Sequence, residues 1–333
     1  MKLVFQDLLG SSPLPYVRKV LKACGQMRPP ICHRTVTEYL RLKLSDELPE
    51  DFPLVPKIQS PELHETLSTC CARLNRERRE VWFYKHMSHQ RIRLGVFHED
   101  VHFITPWHEG INVFECSDSV VDGATYSRQE REAFSGGAEF IMPRDTFVDD
   151  ILSLGVGLRA VESLGQRYDS SLEATAIHYG RVNPRICGVV MIEPNTGTSN
   201  GASHPEAPND QLRFDWQTPA RINRPRRMTY KARSGRLFEL PPPVERYPLR
   251  VRYASCSGRF PKFIRPGIGV DENNPIFRAW KEQKRLTDEI PAATFGSSAR
   301  WSYRAECLPL GKGGKLLALL WIADGQPLLK LFT

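Results

Sequence analysis

The segment HQRIRLGVFHEDVHFI, residues 89–104, decides how the rest of the chain is read. Its side chains follow helical spacing: Leu94, His98 and Val101 share one stripe, and His102 adjoins it. On a helix, residues four apart lie one turn above each other, so the imidazoles of His98 and His102 can meet one ion. Glu99 is then rotated beside them, where a carboxylate can take a proton from water. Neutral imidazoles suit zinc, and His-Glu-x-x-His on a helix is the arrangement zinc peptidases use. The competing reading is a solvated face of a polar helix carrying two unrelated histidines.

Directly upstream, REVWFYKH (79–86) is aromatic and β-prone, which predicts a strand leading into the helix. Trp82 and Tyr84 on that strand read as core residues, although an edge strand beside such a site can also align an extended peptide. Before it, LHETLSTCCARLNRERR (63–79) carries a helical pattern. Two short helical patterns occupy Tyr16–Cys24 and Arg34–Leu44, and the proline-broken tract DELPEDFPLVPKIQSPEL (46–63) separates them from the rest.

A third ligand has two possible sources. His108 follows His102 by six residues, the HExxHxxGxxH spacing, but Thr105 and Pro106 stand where glycine would permit a sharp turn. The other source is the helical pattern Ser127–Phe140, closed by Met142-Pro143, which carries Glu130 and Glu132. Three short helices are expected after it, marked by Phe147, Ile151 and Leu154 behind Asp145 as cap, by Leu158, Val161 and Leu164, and by Leu172, Ala176 and Ile177 behind Ser170 or Ser171. With the GVG break and the YDSS turn they suit a helix-turn-helix-like unit. The last of these helices carries Glu173 and a single terminal arginine, a poor surface for phosphates and a better one for protein docking.

Residues 193–210, EPNTGTSNGASHPEAPND, read as a linker. RINRPRRMTYKARSGR (221–236) then packs seven basic residues into sixteen positions, a flexible connector that could also steer the chain toward nucleic acid. Beyond it the character becomes strand-rich: LRVRYAS, WSYRAECL and KLLALLWIA, the last two joined by GKGG as a hairpin, with NPIFRAWKEQKRL as an amphipathic helix. The tail reads as an independent α+β domain. The organisation expected is a helical segment at 1–60, a metallopeptidase domain at 61–145, the three-helix unit at 146–192, a basic linker at 193–239 and the tail at 240–333.

Here a resemblance enters. RIRLGVFHEDVH and EREAFSGGAEFIMPRDTF look like the ImmA/IrrE family of metallopeptidases, with an Arg-led HExxH helix followed by a helix of the form E-x-E-A-N-x-F-A-A-E-L-L-M-P. The three-helix unit, LRVRYAS and the ECLPLGKGGKLLALL ending are similar to the radiation-response metallopeptidases of Deinococcus, whose tail is GAF-like. The resemblance implies an α+β chain with a zincin-like HExxH domain, a helix-turn-helix-like unit and a GAF-like sensor. His98 and His102 match the zinc histidines, Glu99 the general base and Glu130 the third ligand, with Glu132 the fallback. Three departures stand out: Phe134 replaces the family asparagine and loses its hydrogen bond to the ligand shell, Gly136 replaces a packing phenylalanine, and Asp100-Val101 replaces an apolar-Gly pair.

The resemblance further implies a zinc-dependent regulatory endopeptidase, Mn2+ being another divalent it could take, that cleaves a DNA-binding repressor of the XRE type and so releases stress or DNA-damage response genes. The competing class is a regulator of weak or no activity that binds a repressor or DNA with the same fold. A net charge of +8 favours acidic partners without specifying one. The eight cysteines include no CxxC pair and read as reduced thiols, the N-terminus lacks signal-peptide character, and no stretch approaches the ~20 apolar residues a membrane span needs. A cytoplasmic protein is expected.

Overall fold

In a computed structural model of the chain, residues 12–46, 72–83, 85–108, 123–195, 230–231, 237–238, 247–258, 260, 264–295, 302–311 and 314–322 are described. They fall into two compact units. The first reaches to Phe147 and takes in Gln166–Ser171; the second holds Val148–Gly165, the segment from Leu172 to 195 and the described residues from 230 onward. The architecture is mixed α and β.

The first unit begins with α1 (Leu14–Ala23) and α2 (His33–Tyr39). The second expected helix, Arg34–Leu44, stops at Tyr39. Arg41 takes a left-handed backbone (φ +58°), and the chain continues as β1 (Lys43–Ser45), paired in parallel with β3 (Glu80–Phe83). On the other side of β3 lies β2 (Ala72–Asn75), antiparallel, so β1 and β2 flank it. The helix expected over 63–79 is thus a strand and turn in its described part. Ala72, Arg73 and Leu74 are buried opposite Phe83, Trp82 and Val81, and the Asn75 side chain accepts the N–H of Arg78 at 2.9 Å to close the turn. Tertiary pairing with a β-branched, aromatic partner overrides the local helical pattern.

The decisive segment is α3 (His89–Ile104), as its spacing predicts. From Arg93 onward it is buried around almost its whole circumference, so each polar side chain needs a partner. Arg93 donates to the carbonyls of Ile31 (2.8 Å) and Tyr168 (3.0 Å) and pairs with Asp169 (3.1 Å). Thr37 on α2 donates to the Asp100 carboxyl at 2.9 Å. The helix ends at Thr105-Pro106, and Pro106–His108 turns back as a single 3₁₀ turn.

Along α3 runs α4 (Gly123–Ile141). The two approach closely because position 136 has no side chain: a Cβ there would stand 2.6 Å from Val101 Cγ2. The expected helices α5 (Arg144–Leu154), α6 (Leu158–Arg167) and α7 (Leu172–Val182) follow, with Ser171 directly before α7. Asp145 lies inside the first turn of α5 rather than capping it, since the helix already begins after Pro143.

The second unit is built on a six-stranded sheet in the order β8-β7-β4-β11-β10-β9, with β4 at Cys187–Pro194, β7 at Leu249–Cys256, β8 at Gly269–Val270, β9 at Leu286–Pro291, β10 at Ser302–Pro309 and β11 at Leu316–Trp321. Every neighbouring pair is antiparallel. The expected hairpin is there as β10–β11. The expected tail helix, α8 (Pro275–Glu282), is shorter than NPIFRAWKEQKRL: Asn274 caps its start by accepting the N–H of Ile276, and Gln283 ends it in the left-handed region. A separate pair, β5 (Tyr230–Lys231) and β6 (Leu237–Phe238), lies in the expected linker.

Sequence reading missed β4. It lies across the expected boundary at 192 yet forms a central strand, pairing with β7 on one side and β11 on the other. The expected independent tail at 240–333 therefore lacks a strand of its own sheet. Helix α7 rests on β4 and β7, where a Cβ at Gly180 would come within 2.4 Å of the Ser255 carbonyl oxygen. Among the described residues no helix is long and apolar enough to cross a membrane, and Cys24, Cys32, Cys187, Cys256 and Cys307 are all free.

Candidate metal centre

His98, Glu99 and His102 project from α3 and Glu130 from α4. The solvated-face reading fails here, because His98, Glu99 and His102 are 7%, 6% and 7% exposed. His98 Nε2 lies 3.1 Å from His102 Nε2 and 3.1 Å from Glu130 Oε2, and His102 Nε2 lies 3.3 Å from Glu130 Oε1. A tetrahedral zinc site with bonds of ~2.0–2.1 Å places its ligand atoms ~3.3 Å apart. The two nitrogens sit near that spacing, Glu130 presents one oxygen to each, and among the described residues the three form the cluster able to hold a metal.

The charges are arranged to match. Burial opposes ionisation of Glu130, but the two imidazoles overcome it and hold its carboxyl far below the usual range. Burial likewise disfavours His98 as a cation, and Glu130 outweighs it, raising the imidazole. Glu99 is pushed opposite to Glu130. Burial raises its carboxyl, opposed by His98 and His102, and the Leu74 N–H on β2 donates to it. Asp100, next along the helix, is raised well above the usual range by burial and serves to anchor α2 through Thr37.

His108 and Glu132, the other two candidate ligands, stand behind the centre. The 3₁₀ turn after Pro106 brings His108 back to His102, but onto its rear nitrogen: His108 Nδ1 is 3.1 Å from His102 Nδ1. His108 Nε2 meets Glu132 Oε2 at 3.1 Å. Glu132 also accepts Trp107 Nε1 at 2.6 Å and Arg128 Nε at 2.7 Å. Burial and the neighbouring His102 hold the His108 imidazole down at about 4, while hydrogen bonds from Trp107, Arg128 and His108 overcome burial and lower Glu132. Sequence reading weighed His108 and Glu132 only as ligands. Trp107 carried no signal of its own.

Phe134, Val101 and Gly136, where the sequence departs from the pattern it resembles, each make a defined contact here. Phe134 lays its ring on His98, centroids 4.2 Å apart, and His98 Nδ1 has no hydrogen-bond partner among the described residues. The expected hydrogen bond at this position is replaced by an aromatic contact. Val101 and Gly136 are complementary in size: the valine branches fill the space a side chain at 136 would need, so the two helices keep their spacing. Of the basic run 221–236, only Tyr230–Lys231 falls in the described residues, and an interface with nucleic acid there lies outside them.

No family model matches the chain, and no curated protein matches it. A solved structure described as a Mycobacterium tuberculosis transcriptional regulator aligns at a TM-score of 0.49 and 10% sequence identity, covering 93% of this chain and 75% of that one.

Proposed function

We propose that the chain is a zinc metallopeptidase in which His98, His102 and Glu130 hold the ion and Glu99 is the general base. The observation that carries the reading is a pair of buried imidazoles 3.1 Å apart, each met by an oxygen of the half-buried Glu130 at 3.1–3.3 Å, with the Glu99 carboxylate beside them on the histidines' own helix. Two imidazoles and one carboxylate suit zinc, Mn2+ being the other divalent considered. When bound, zinc supplies Lewis acidity and brings the ionisation of water near neutral pH. Glu99 takes the proton, and its raised carboxyl can retain it until the leaving amine needs it. Leu74, which donates to Glu99, lies on β2 at the edge of its three-stranded sheet. A peptide added along that edge in extended form would be aligned beside Glu99.

The resemblance to the ImmA/IrrE family extends this reading to a zincin-like fold with a GAF-like sensor in a cytoplasmic regulatory protease. Its substrate would be a helix-turn-helix repressor of the XRE type, and its output the release of stress or DNA-damage response genes. A second reading, a metal-binding regulator without turnover, is favoured by one observation: the phenylalanine ring against His98 where a hydrogen bond is expected. Glu99→Gln separates them. The zinc-loaded chain and the variant are incubated with purified helix-turn-helix repressors from the same genome and cleavage is followed by mass spectrometry. The peptidase reading expects zinc in both and cleavage only by the parent chain. Equal cleavage by the variant removes Glu99 from the role of base, and absence of cleavage by either favours the silent regulator.

A further inference from the structure

His98 and His102 look equivalent in sequence, but their surroundings differ on the side away from Glu130. His98 Nδ1 is buried against Phe134 with no partner among the described residues. His102 Nδ1 faces His108 Nδ1 at 3.1 Å, and behind it His108 Nε2 faces Glu132 Oε2 at 3.1 Å. An imidazole is fully specified as a donor or acceptor once the partner of one nitrogen is known.

Glu132 is held by the N–H groups of Trp107 (2.6 Å) and Arg128 (2.7 Å), both of which can only donate, so its carboxylate accepts. His108 Nε2 must therefore carry a hydrogen toward Glu132. A neutral imidazole has one N–H, which leaves His108 Nδ1 as an acceptor. His102 Nδ1 must then donate to it, which turns His102 Nε2 toward His98 (3.1 Å) and Glu130 (3.3 Å) as the nitrogen that would meet the ion. We infer that Glu132 and His108 are positioning residues: they fix His102 in the one tautomer and ring orientation that can ligate a metal through Nε2. The inference rests on reading His98, His102 and Glu130 as the metal site. It also assigns the two histidines different support, since no such chain stands behind His98 among the described residues.

The relay has a signature that a merely structural role lacks. Ring nitrogen NMR of the metal-free full-length chain should show His102 with its hydrogen on Nδ1, and Glu132→Gln, nearly the same shape, should abolish that preference. Zinc affinity measured against a competing chelator should fall about tenfold or more in Glu132→Gln and in His108→Ala. The double variant should be no weaker than the worse single, because the residues act in series. Finding no hydrogen on His102 Nδ1 in the parent chain overturns the relay, as does an unchanged tautomer and zinc affinity in Glu132→Gln. If His108→Ala does not fold, the tautomer of the parent and the Glu132 variant still decide. If the parent binds no zinc, the metal reading falls by itself, and the relay stands or falls on the His102 tautomer alone.

Discussion

Replacing Glu130 with alanine removes the one proposed ligand that comes from a second helix. The carboxylate spans both imidazoles, at 3.1 Å from His98 and 3.3 Å from His102. With zinc at a thousand times its dissociation constant, ligation contributes about 4 kcal/mol to stability. For a unit of roughly 150 residues each kcal/mol is ~2–4 °C in melting temperature, so zinc should raise the parent by roughly 10 °C. A group that only orients a ligand changes affinity by ~10–100-fold, and losing the ligand itself should cost at least about 100-fold. At the same zinc concentration the remaining stabilisation is then ~1.4 kcal/mol, and the rise shrinks to about 4 °C or less. Calorimetry with and without zinc on each variant isolates this difference, because the lost carboxylate–imidazole contacts affect both traces of the variant. Elemental analysis after gel filtration gives the zinc content. Stoichiometric zinc and a full melting rise in Glu130→Ala would refute the reasoning. Retention by Glu130→Ala together with loss in His108→Ala would move the third ligand to His108.

Gly136→Ala should destabilise the first unit by about 1–3 kcal/mol through overpacking against Val101 and weaken zinc binding as α4 shifts; Val101→Ala in the same chain should recover most of both, measured by urea unfolding and chelator competition. Burial, reinforced by Arg93, holds the His33 imidazole at about 4, below its unfolded value of ~6.5. The unfolded chain then binds more protons in that interval, so stability present above about pH 6.5 is lost as pH falls toward 4. His98, raised by Glu130, runs the opposite way, losing stability as pH rises through its folded value, so the test compares His33→Gln with the parent and expects a shallower decline from pH 7 to pH 5. Finally, residues 240–333 alone should fail to unfold cooperatively, since β7 and β11 lose β4 between them, whereas the span 148–333 should melt as one transition by circular dichroism.

The spacing within residues 89–104 was sufficient to specify a helix with both histidines and Glu99 together, because the period of a helix is local and needs no knowledge of the rest of the chain. By pattern Glu130 stood beside Glu132 and His108 as a candidate ligand, and the resemblance singled it out. What brings it to the histidines is the fit of Val101 against Gly136, a pairing between residues far apart in sequence. Residues 72–75 and 187–194 show the converse limit. The first carried a helical pattern and the second an apolar run over 187–192 without strand periodicity, and each became a strand because a partner strand elsewhere supplied its hydrogen bonds. His108 marks the boundary most sharply. Its distance along the chain made it a candidate for the metal, and the direction of the turn at Pro106–His108 placed it on the rear nitrogen of His102, with Glu132 behind it. Sequence spacing determines which residues can meet; the side from which they meet is a property of the folded backbone.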